Sequence, residues 1–395
     1  MADIPTENRS EHHPMRIAMV VPPWYELPPS GYGGLEQVCA ELVDGLIARG
    51  HEVTLFGAGI QTGTGAEFVS TVDETQHERL GQTMPELLHV ARVNQLINEG
   101  AFDVVHDHTV IGMLTAADRQ VPTIATVHGP PIGELGEYLG CLDASVGLVA
   151  ISRSQRRQNP DLPWTATIHH GLRAPDPDRT LRRRTTGIGP VLWMARFAPE
   201  KGPDLAIRAC RVAGLPLVLA GKCNEPEEHR YLREEIAPLV GPDVEVVLNA
   251  DRVRCQALLR EARCLLLPIR WEEPFGMVML EALAAGTPVV ALNRGAVPEI
   301  VHHRETGLIC DDPGELPNAL HEVLGLDPAA CVTHVRRFFP PDLMAYRYEQ
   351  VFRRRIAPQV TGHTNPTPSA RSAWVSRDLQ TDSAAPPAPA PDPAA

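Results

Sequence analysis

The sequence has no excess of positive charge and no long apolar run. Its 395 residues include 36 lysines and arginines against 49 aspartates and glutamates, a formal net charge of -13 at pH 7. A protein that neutralises many phosphates needs a basic excess, so this balance argues against nucleic acid as a partner. No stretch approaches a membrane span, and the polar first residues lack the apolar core of a signal peptide. We therefore expect a cytoplasmic protein without a transmembrane segment.

Cysteine is present, but not in a pattern that indicates a metal site or a disulfide framework. The eight cysteines are scattered from Cys39 to Cys331, and none of them has C-x-x-C spacing. This usage is typical of buried thiols in a reducing compartment. We assign the cysteines no functional role.

Short apolar runs alternate with helix-capable segments along most of the chain. Buried strands are predicted first at "RIAMVVPP", "EVTLFGAG", "FDVVHDHT", "PTIATVHG" and "SVGLVAIS", and later at five runs from "PVLWMAR" to "TPVVAL". A parallel sheet covered by helices on both faces explains this alternation. The length exceeds what one hydrophobic core usually supports, so it favours two such domains.

Breaks in this alternation predict the domain limits. Residues 15–172 form the first domain and residues 190–340 the second, joined by a charged, proline-containing linker at 173–189. The leader 1–14 and the Pro/Ala-rich tail 357–395 have no apolar periodicity, so we expect a flexible leader and a disordered tail. The predicted fold class is α/β, with two doubly wound, Rossmann-like domains facing each other across a ligand-binding cleft.

The segment "EEPFGMVMLEALAAGTPVVALNRGAVPEI" has two glutamates around a predicted helix start. Pro274 suits the first helical position, so we expect the helix to begin there with Glu273 just outside it. The free backbone amides of Phe275, Gly276 and Met277 would then face the cleft. Such amides can hold an anion or a hydroxylated ligand.

Glu281 lies two turns further along the same predicted helix, among apolar residues. A carboxylate in such surroundings needs hydrogen-bond donors, and a ribose diol supplies two. From the residues alone, a solvated helix face for Glu281 and a surface loop for Glu273 are the simpler alternatives.

Two cations and two glycines also have alternative interpretations. Arg196 follows a predicted strand and Lys201 opens the next helix, so both can converge on one polyanion. Taken alone, a salt bridge for Arg196 and a solvated charge for Lys201 are the simpler explanations. Gly33 and Gly34 stand between the first strand and the first helix, where they allow a phosphate or sugar to approach, or simply form a turn.

Taken together, these segments resemble glycosyltransferase family 4, the retaining nucleotide-sugar transferases of GT-B architecture. The resemblance covers most of residues 15–356 and is carried by "EPFGMVMLE", "ALAAGTPVVALNRGAVPEIV", "ARFAPEKG", "GYGGLEQV", "FDVVHDH" and "TVHG". It implies transfer of a hexose-type sugar from a nucleoside diphosphate sugar to a hydroxyl acceptor, with retention at the anomeric carbon. It also implies that residues 341–356 form a closing helix that returns to the first domain.

The resemblance implies roles for the matching positions. Glu281 matches a glutamate that holds the ribose hydroxyls, and Glu273 matches one that contacts the transferred sugar. Arg196 and Lys201 match the pair that neutralises the leaving diphosphate, and His128 matches a histidine that contacts the donor sugar. The expected catalytic residues are His128, Arg196, Lys201 and Glu273. The expected donor-binding residues are Gly33, Gly34, Arg196, Lys201, Glu273, Phe275, Gly276, Met277, Val278 and Glu281.

Three positions depart from the family pattern. Ala195 and Ala296 stand where glycine is more usual. The segment "HHGL", His169 to Leu172, stands where the family often has an asparagine and a glycine followed by an acidic residue. We therefore expect the entry to the linker to differ.

No metal ion and no cofactor are expected, and the nucleotide sugar is a substrate. His106, His108 and His128 do not complete a recognised ligand spacing, because no carboxylate or cysteine accompanies them. Arg196 and Lys201 already provide the charge that a magnesium ion would supply.

Two other functions remain as alternatives: a GT-B epimerase acting on a nucleotide sugar, and a non-catalytic nucleotide-sugar-binding protein. A glycogen-type phosphorylase is disfavoured because the chain offers few lysines for pyridoxal phosphate. The base and sugar of the donor and the identity of the acceptor are open. A lipid acceptor would bring the protein into peripheral contact with a membrane.

Overall fold

The computed structural model describes residues 13–29, 31, 33–177 and 189–357. Within these ranges the chain forms two parallel β-sheets with helices between most of the successive strands. This architecture confirms the predicted α/β class with two doubly wound domains. The predicted leader and tail lie almost wholly outside the described residues, as do residues 178–188 of the predicted linker.

The first sheet has seven parallel strands in the order β3-β2-β1-β4-β5-β6-β7. The strands are β1 (Arg16–Val20), β2 (Glu52–Ala58), β3 (Glu67–Val72), β4 (Val104–Asp107), β5 (Thr123–Val127), β6 (Val146–Ala150) and β7 (Trp164–Thr167). Every residue of β4, β5 and β6 is buried. Burial on both faces explains why these strands are continuous apolar runs in the sequence.

The second sheet has six parallel strands in the order β10-β9-β8-β11-β12-β13. The strands are β8 (Val191–Met194), β9 (Leu217–Gly221), β10 (Val244–Leu248), β11 (Cys264–Leu267), β12 (Val289–Leu292) and β13 (Gly307–Cys310). In both sheets the strand order reverses beside the first strand of the domain. Ligand sites in open parallel sheets lie at the carboxyl ends of the strands next to such a reversal.

Helices connect most of these strands, whereas a loop without a helix joins β2 to β3. The first domain contains α1 (Gly34–Ala48), α2 (Thr83–Glu99), α3 (Gly133–Gly140) and α4 (Arg153–Gln158). The second contains α5 (Pro203–Ala213), α6 (Pro226–Tyr231), α7 (Arg252–Glu261), α8 (Met277–Ala284), α9 (Val297–Ile300), α10 (Leu316–Glu322) and α11 (Pro328–Phe338). None of the described helices is long and apolar enough to cross a membrane.

Helix α6 has only six residues. It continues into a π-helical turn (Leu232–Ile236) and then a 3-10 turn (Ala237–Leu239). Residues 226–239 are therefore helical throughout, but with three different hydrogen-bonding geometries.

The final helix, α12 (Pro341–Ile356), packs against α1 of the first domain, whereas α11 packs against α8 of the second. The hydroxyl of Tyr348 lies 2.8 Å from Thr126 Oγ1 on β5. Arg49 donates a hydrogen bond to the buried carboxylate of Glu349. The chain thus passes from the second domain back to the first between α11 and α12.

Candidate active site

A cavity of about 290 Å³ opens at the carboxyl ends of strands from both sheets. Loops after β1, β5, β6 and β7 form the first-domain side, and loops after β8 and β11 form the second-domain side. Its lining includes nine of the predicted site residues: Gly34, His128, Arg196, Lys201, Glu273, Phe275, Gly276, Met277 and Val278. The fold therefore brings all four residues of the predicted catalytic set into one cavity.

Helix α8 begins at Met277, three residues later than predicted. Gly276 precedes it with φ 84° and ψ 68°, a left-handed conformation that interrupts a right-handed helix. The prediction that Pro274 is the first helical residue is therefore wrong. Pro274 and Phe275 belong to the loop between β11 and α8, and the first helical amides are those of Met277 and Val278.

Lys201, Glu273 and Trp271 form a close cluster on the second-domain side of this cavity. Lys201 Nζ lies 2.6 Å from Glu273 Oε2. The indole Nε1 of Trp271 donates a hydrogen bond of 2.9 Å to the same oxygen. Lys201 Nζ also lies 4.2 Å from the centre of the Trp271 ring, a cation-π contact. The ammonium group thus has two partners, both supplied by the same short loop.

Arg196 pairs with carboxylates of its own. Its Nη1 lies 3.2 Å from Glu228 and its Nη2 lies 3.4 Å from Glu200. The Arg196 side chain is 42% exposed, so its guanidinium group can turn toward a ligand. Both cations that were predicted to meet a diphosphate are therefore already paired with carboxylates, and a bound anion would compete with these pairs.

Glu281 and Gly33 line a second cavity, of about 400 Å³. The two cavities are neighbours, since one is lined by Gly33 and the other by Gly34, and both are lined by turns of α8. Burial raises the pKa of Glu281 to about 7, and the Arg252 guanidinium limits this rise. Arg252 itself donates a hydrogen bond to Gln37 on α1. Glu281 therefore changes its charge near neutral pH.

His128 faces the first cavity from the first-domain side. Its Nε2 lies 2.9 Å from Nδ1 of His108, and its ring stacks on that of His170 at a centroid distance of 5.5 Å. Burial lowers the pKa of His128 to about 4. Burial and the neighbouring imidazoles also hold the pKa values of His108 and His170 well below the usual range. These rings are consequently neutral at pH 7.

His106, the third histidine considered as a metal ligand, is fully buried and does not line the cavity. Its Nε2 lies 2.9 Å from Thr126 Oγ1. Among the residues that the structure describes, no group of three or more histidines, cysteines, aspartates or glutamates is arranged to hold a metal ion.

Three residues at the site were missed by the sequence analysis. Trp271 stands only two positions before Glu273, so its place in "RWEEPFG" was the available indication. His170 lies in "HHGL", which had been noted only as a departure at the linker. Glu228 is 32 positions from its partner Arg196, and nothing in the sequence pattern links them.

The two domains touch at further places besides the hydrogen bond from Arg252 to Gln37. Lys222 Nζ lies 4.1 Å from the centre of the Tyr25 ring, across the two domains. Elsewhere, Glu299 of the second domain accepts hydrogen bonds from the backbone amides of Arg153 and Ser154, over 2.9 and 2.7 Å, at the start of α4. The two domains are therefore held together by side-chain and backbone contacts as well as by the segments of chain that connect them.

Two family models match the chain, one in each domain. The model described as Glycosyltransferase Family 4 matches residues 32–158, and the model described as Glycosyl transferases group 1 matches residues 189–327. Together the two matches cover more than half of the chain and include the predicted catalytic residues. The chain belongs to glycosyltransferase family 4.

This glycosyltransferase resembles known proteins over most of its length. The glycogen synthase of Mycobacterium tuberculosis is 28% identical over 381 residues, covering 82% of this chain and 89% of the synthase. The phosphatidyl-myo-inositol mannosyltransferase of Mycolicibacterium smegmatis is 26% identical over 346 residues, covering 78% and 85%. The crystal structure of AviGT4, a glycosyltransferase involved in avilamycin A biosynthesis, matches with 26% identity and a TM-score of 0.66, covering 87% and 99%. The predicted GT-B fold is thereby confirmed.

Proposed function

We propose that this glycosyltransferase moves a hexose-type sugar from a nucleoside diphosphate sugar to a hydroxyl acceptor, with retention at the anomeric carbon and without a metal ion. One observation carries the proposal. Arg196, Lys201, Glu273 and the amide end of α8 converge in a single cavity, with His128 opposite them. Such a set suits a ligand that joins a diphosphate to a sugar.

The cations suit the leaving group. When the bond between the sugar and the diphosphate breaks, negative charge develops on the phosphate oxygen. Fixed positive charges stabilise such an oxygen because they need no reorganisation during the reaction. Lys201 and Arg196 line the cavity with the first amides of α8, where the helix dipole also favours an anion.

Binding of the diphosphate would involve an exchange of ion pairs. Lys201 lies against Glu273 and Arg196 against Glu228 and Glu200. A diphosphate carries enough charge to replace a carboxylate as the partner of each cation. Because two side chains then balance the leaving group, these pairs support transfer without a divalent ion.

The groups around the sugar suit orientation better than nucleophilic attack. Burial holds the pKa of His128 near 4, so at pH 7 its neutral ring can exchange hydrogen bonds with a sugar hydroxyl. Glu273 becomes available to the sugar once Lys201 turns to the phosphate. In the proposed step, the bond from the anomeric carbon to the phosphate oxygen breaks and the acceptor oxygen bonds to that carbon from the same face. The acceptor proton passes to the leaving phosphate oxygen.

Glu281 suits the ribose of the donor. Its carboxyl group lines the neighbouring cavity, one helical turn beyond the amides that face the diphosphate. Ribose hydroxyls would supply the donors that a partly buried carboxylate needs. Along α8, the amides suited to the diphosphate come first and the carboxyl group suited to the ribose follows. A nucleotide sugar has its diphosphate and ribose in the same order.

Release of nucleoside diphosphate from a panel of UDP-, GDP- and ADP-sugars, with and without EDTA, tests the proposal. The variants are Lys201→Ala and Glu281→Ala, and Arg208→Ala removes an exposed cation of the same domain as a matched control. We expect slow hydrolysis of one donor, unaffected by EDTA and by the control, and lost in the two site variants.

Three results would contradict the proposal in different ways. Hydrolysis that requires an added divalent ion would refute metal-independent transfer. A folded protein that binds none of the donors would refute the use of a nucleoside diphosphate sugar. A sugar that changes configuration while still attached to the nucleotide would instead identify an epimerase.

A further inference from the structure

We propose that Trp271 is a positioning residue that acts through both Lys201 and Glu273. In this role the Trp271 indole holds the Glu273 carboxylate in place when the Lys201 ammonium group leaves that carboxylate and pairs with a diphosphate. The diphosphate step rests on the proposed function, whereas the arrangement of the three side chains does not.

Trp271 contacts both members of the ion pair with different parts of its ring system. The indole N–H donates to Glu273 Oε2 over 2.9 Å, and Lys201 Nζ lies 2.6 Å from that same oxygen. The face of the ring lies 4.2 Å from Lys201 Nζ. A single side chain therefore sets the position of both charges relative to the cavity that all three line.

The contacts of Trp271 reduce the free-energy cost of separating Lys201 from Glu273. A partly buried carboxylate that loses its cation is left with an unsatisfied charge, which opposes the exchange. The indole N–H remains bound to Glu273 when Lys201 turns away, so the carboxylate keeps one donor. The ring face also continues to stabilise the ammonium group during this movement.

The backbone on both sides of the pair is held independently. The indole of Trp193, a fully buried core residue, donates a 3.0 Å hydrogen bond to the carbonyl oxygen of Lys201. The amide of Ala296 donates a 2.9 Å hydrogen bond to the carbonyl oxygen of Glu273. Exchange of partners is therefore confined to the side chains, and Trp271 is placed to control it.

A kinetic test compares Trp271→Phe, which keeps an aromatic face but removes the N–H, with Trp164→Phe. Trp164 also donates its indole N–H, over 2.8 Å to the carbonyl of Asn159, but lies in the first domain away from the cavity. We expect Trp271→Phe to lower kcat/KM for hydrolysis of the accepted donor by about 10- to 100-fold, the effect of losing a hydrogen bond to a charged group. The control should keep the wild-type rate. Equal values for the two variants would overturn the proposal.

A spectroscopic test needs no donor sugar. The chain has five tryptophans, so ¹⁵N-tryptophan labelling of the full-length protein gives at most five indole N–H resonances. The resonance missing in Trp271→Phe belongs to Trp271. We expect it to move in Glu273→Gln, and in wild type to respond to inorganic pyrophosphate while staying protected from exchange with water.

The two tests separate this proposal from the proposed function. If no nucleotide sugar is hydrolysed but the indole responds as expected, the transferase assignment fails and the positioning role of Trp271 stands. The positioning role is overturned if the Trp271 resonance is the same in wild type and Glu273→Gln. It is equally overturned if pyrophosphate leaves this resonance unchanged or exposes it to exchange.

Discussion

Lys201 and Glu273 lie 72 positions apart in the chain, and their charged atoms meet at 2.6 Å in the cleft. Both side chains are largely buried, with 13% and 14% exposure, so solvent screens this pair less than a surface pair. Lys201 is the predicted phosphate-binding cation, and Glu273 is the carboxylate predicted to contact the sugar. Because they pair with each other, Glu273 partly neutralises the charge that Lys201 would offer to a phosphate. Removing either charge therefore alters both parts of the site.

Glu273→Gln is expected to separate binding of the leaving group from transfer. The amide cannot neutralise Lys201, so the ammonium is free for the diphosphate and nucleoside diphosphate should bind about 3- to 10-fold more tightly. Transfer should fall about 10- to 100-fold because the sugar loses a charged partner. Calorimetry of the product and initial rates measure the two effects. Glu272→Gln, whose carboxylate instead accepts from the amide of Gly295, should leave the product affinity unchanged. Weaker product binding in Glu273→Gln would contradict the exchange of ion pairs.

Glu281 should make nucleotide affinity depend on pH. Burial raises its pKa to about 7, and ribose hydroxyls that bind the carboxylate would lower this pKa in the complex. Binding then releases a proton, so affinity increases as the pH rises toward about 7 and levels off above it. Titration of the nucleoside diphosphate by calorimetry at several pH values measures this change.

The phosphate of the ligand also titrates, so the decisive comparison is with Glu281→Gln. This variant keeps the phosphate contribution and should lose the part due to the carboxyl group, with weaker binding above pH 7. The same pH profile in wild type and Glu281→Gln would show that the ribose does not bind the charged form of Glu281.

The buried histidines should make the fold sensitive to acid. Burial lowers the pKa to about 3 for His106 and about 4 for His128, against an ordinary value of 6.5. The unfolded chain takes up protons below pH 6.5 while the folded chain does not until about pH 4. Each such histidine therefore lowers the free energy of unfolding by up to about 1.4 kcal/mol per pH unit in this window. Urea unfolding at several pH values from about 7 to 4 measures the slope.

His106→Gln is the variant that tests this account. It should reduce the slope by up to about 1.4 kcal/mol per pH unit, the contribution of one proton. If His106→Gln keeps the wild-type slope, the acid sensitivity arises elsewhere, for example from carboxylates.

Gly276→Ala should disturb the site as well as the backbone. A Cβ at this position would lie 2.8 Å from Met279 Cε and 3.2 Å from Glu273 Cγ, and φ is +84°. Gly50→Ala is a matched control, because φ is +92° there but no atom lies within 4 Å of the added Cβ. Both changes should destabilise the fold by about 1 kcal/mol through backbone strain, measured by thermal unfolding. Only Gly276→Ala should also reduce activity, because it displaces Glu273; equal activity in both variants would contradict this.

The sheets could be predicted from the sequence because their strands are buried on both faces. A segment such as "SVGLVAIS", which contains β6, has no polar alternation, and a parallel strand covered by helices needs none. Arg196, Lys201 and Glu273 could be placed near one another because they occur in loops after strands, whereas their roles came from the resemblance to glycosyltransferase family 4. The carboxyl ends of parallel strands meet at one edge of each sheet, so these residues converge in space.

Other features depend on contacts that the sequence pattern does not record. Proline preferences favoured a helix start at Pro274, but the left-handed conformation of Gly276 is set by the surrounding loop. The pairing of Arg196 with Glu228 depends on how α6 lies against the loop after β8. The hydrogen bond from Trp271 to Glu273 depends on the rotamers of both side chains. Local propensity does not determine any of these three.

The most direct test of the central claim is the anomeric configuration of the sugar released from the accepted donor in the presence of EDTA. Proton NMR of the first product, recorded before it mutarotates, reads this configuration. The proposed chemistry predicts a product with the configuration of the donor, formed at the same rate with and without EDTA and lost in Lys201→Ala. A first product of opposite configuration, or no product until a divalent ion is added, would contradict retaining, metal-independent transfer by this site.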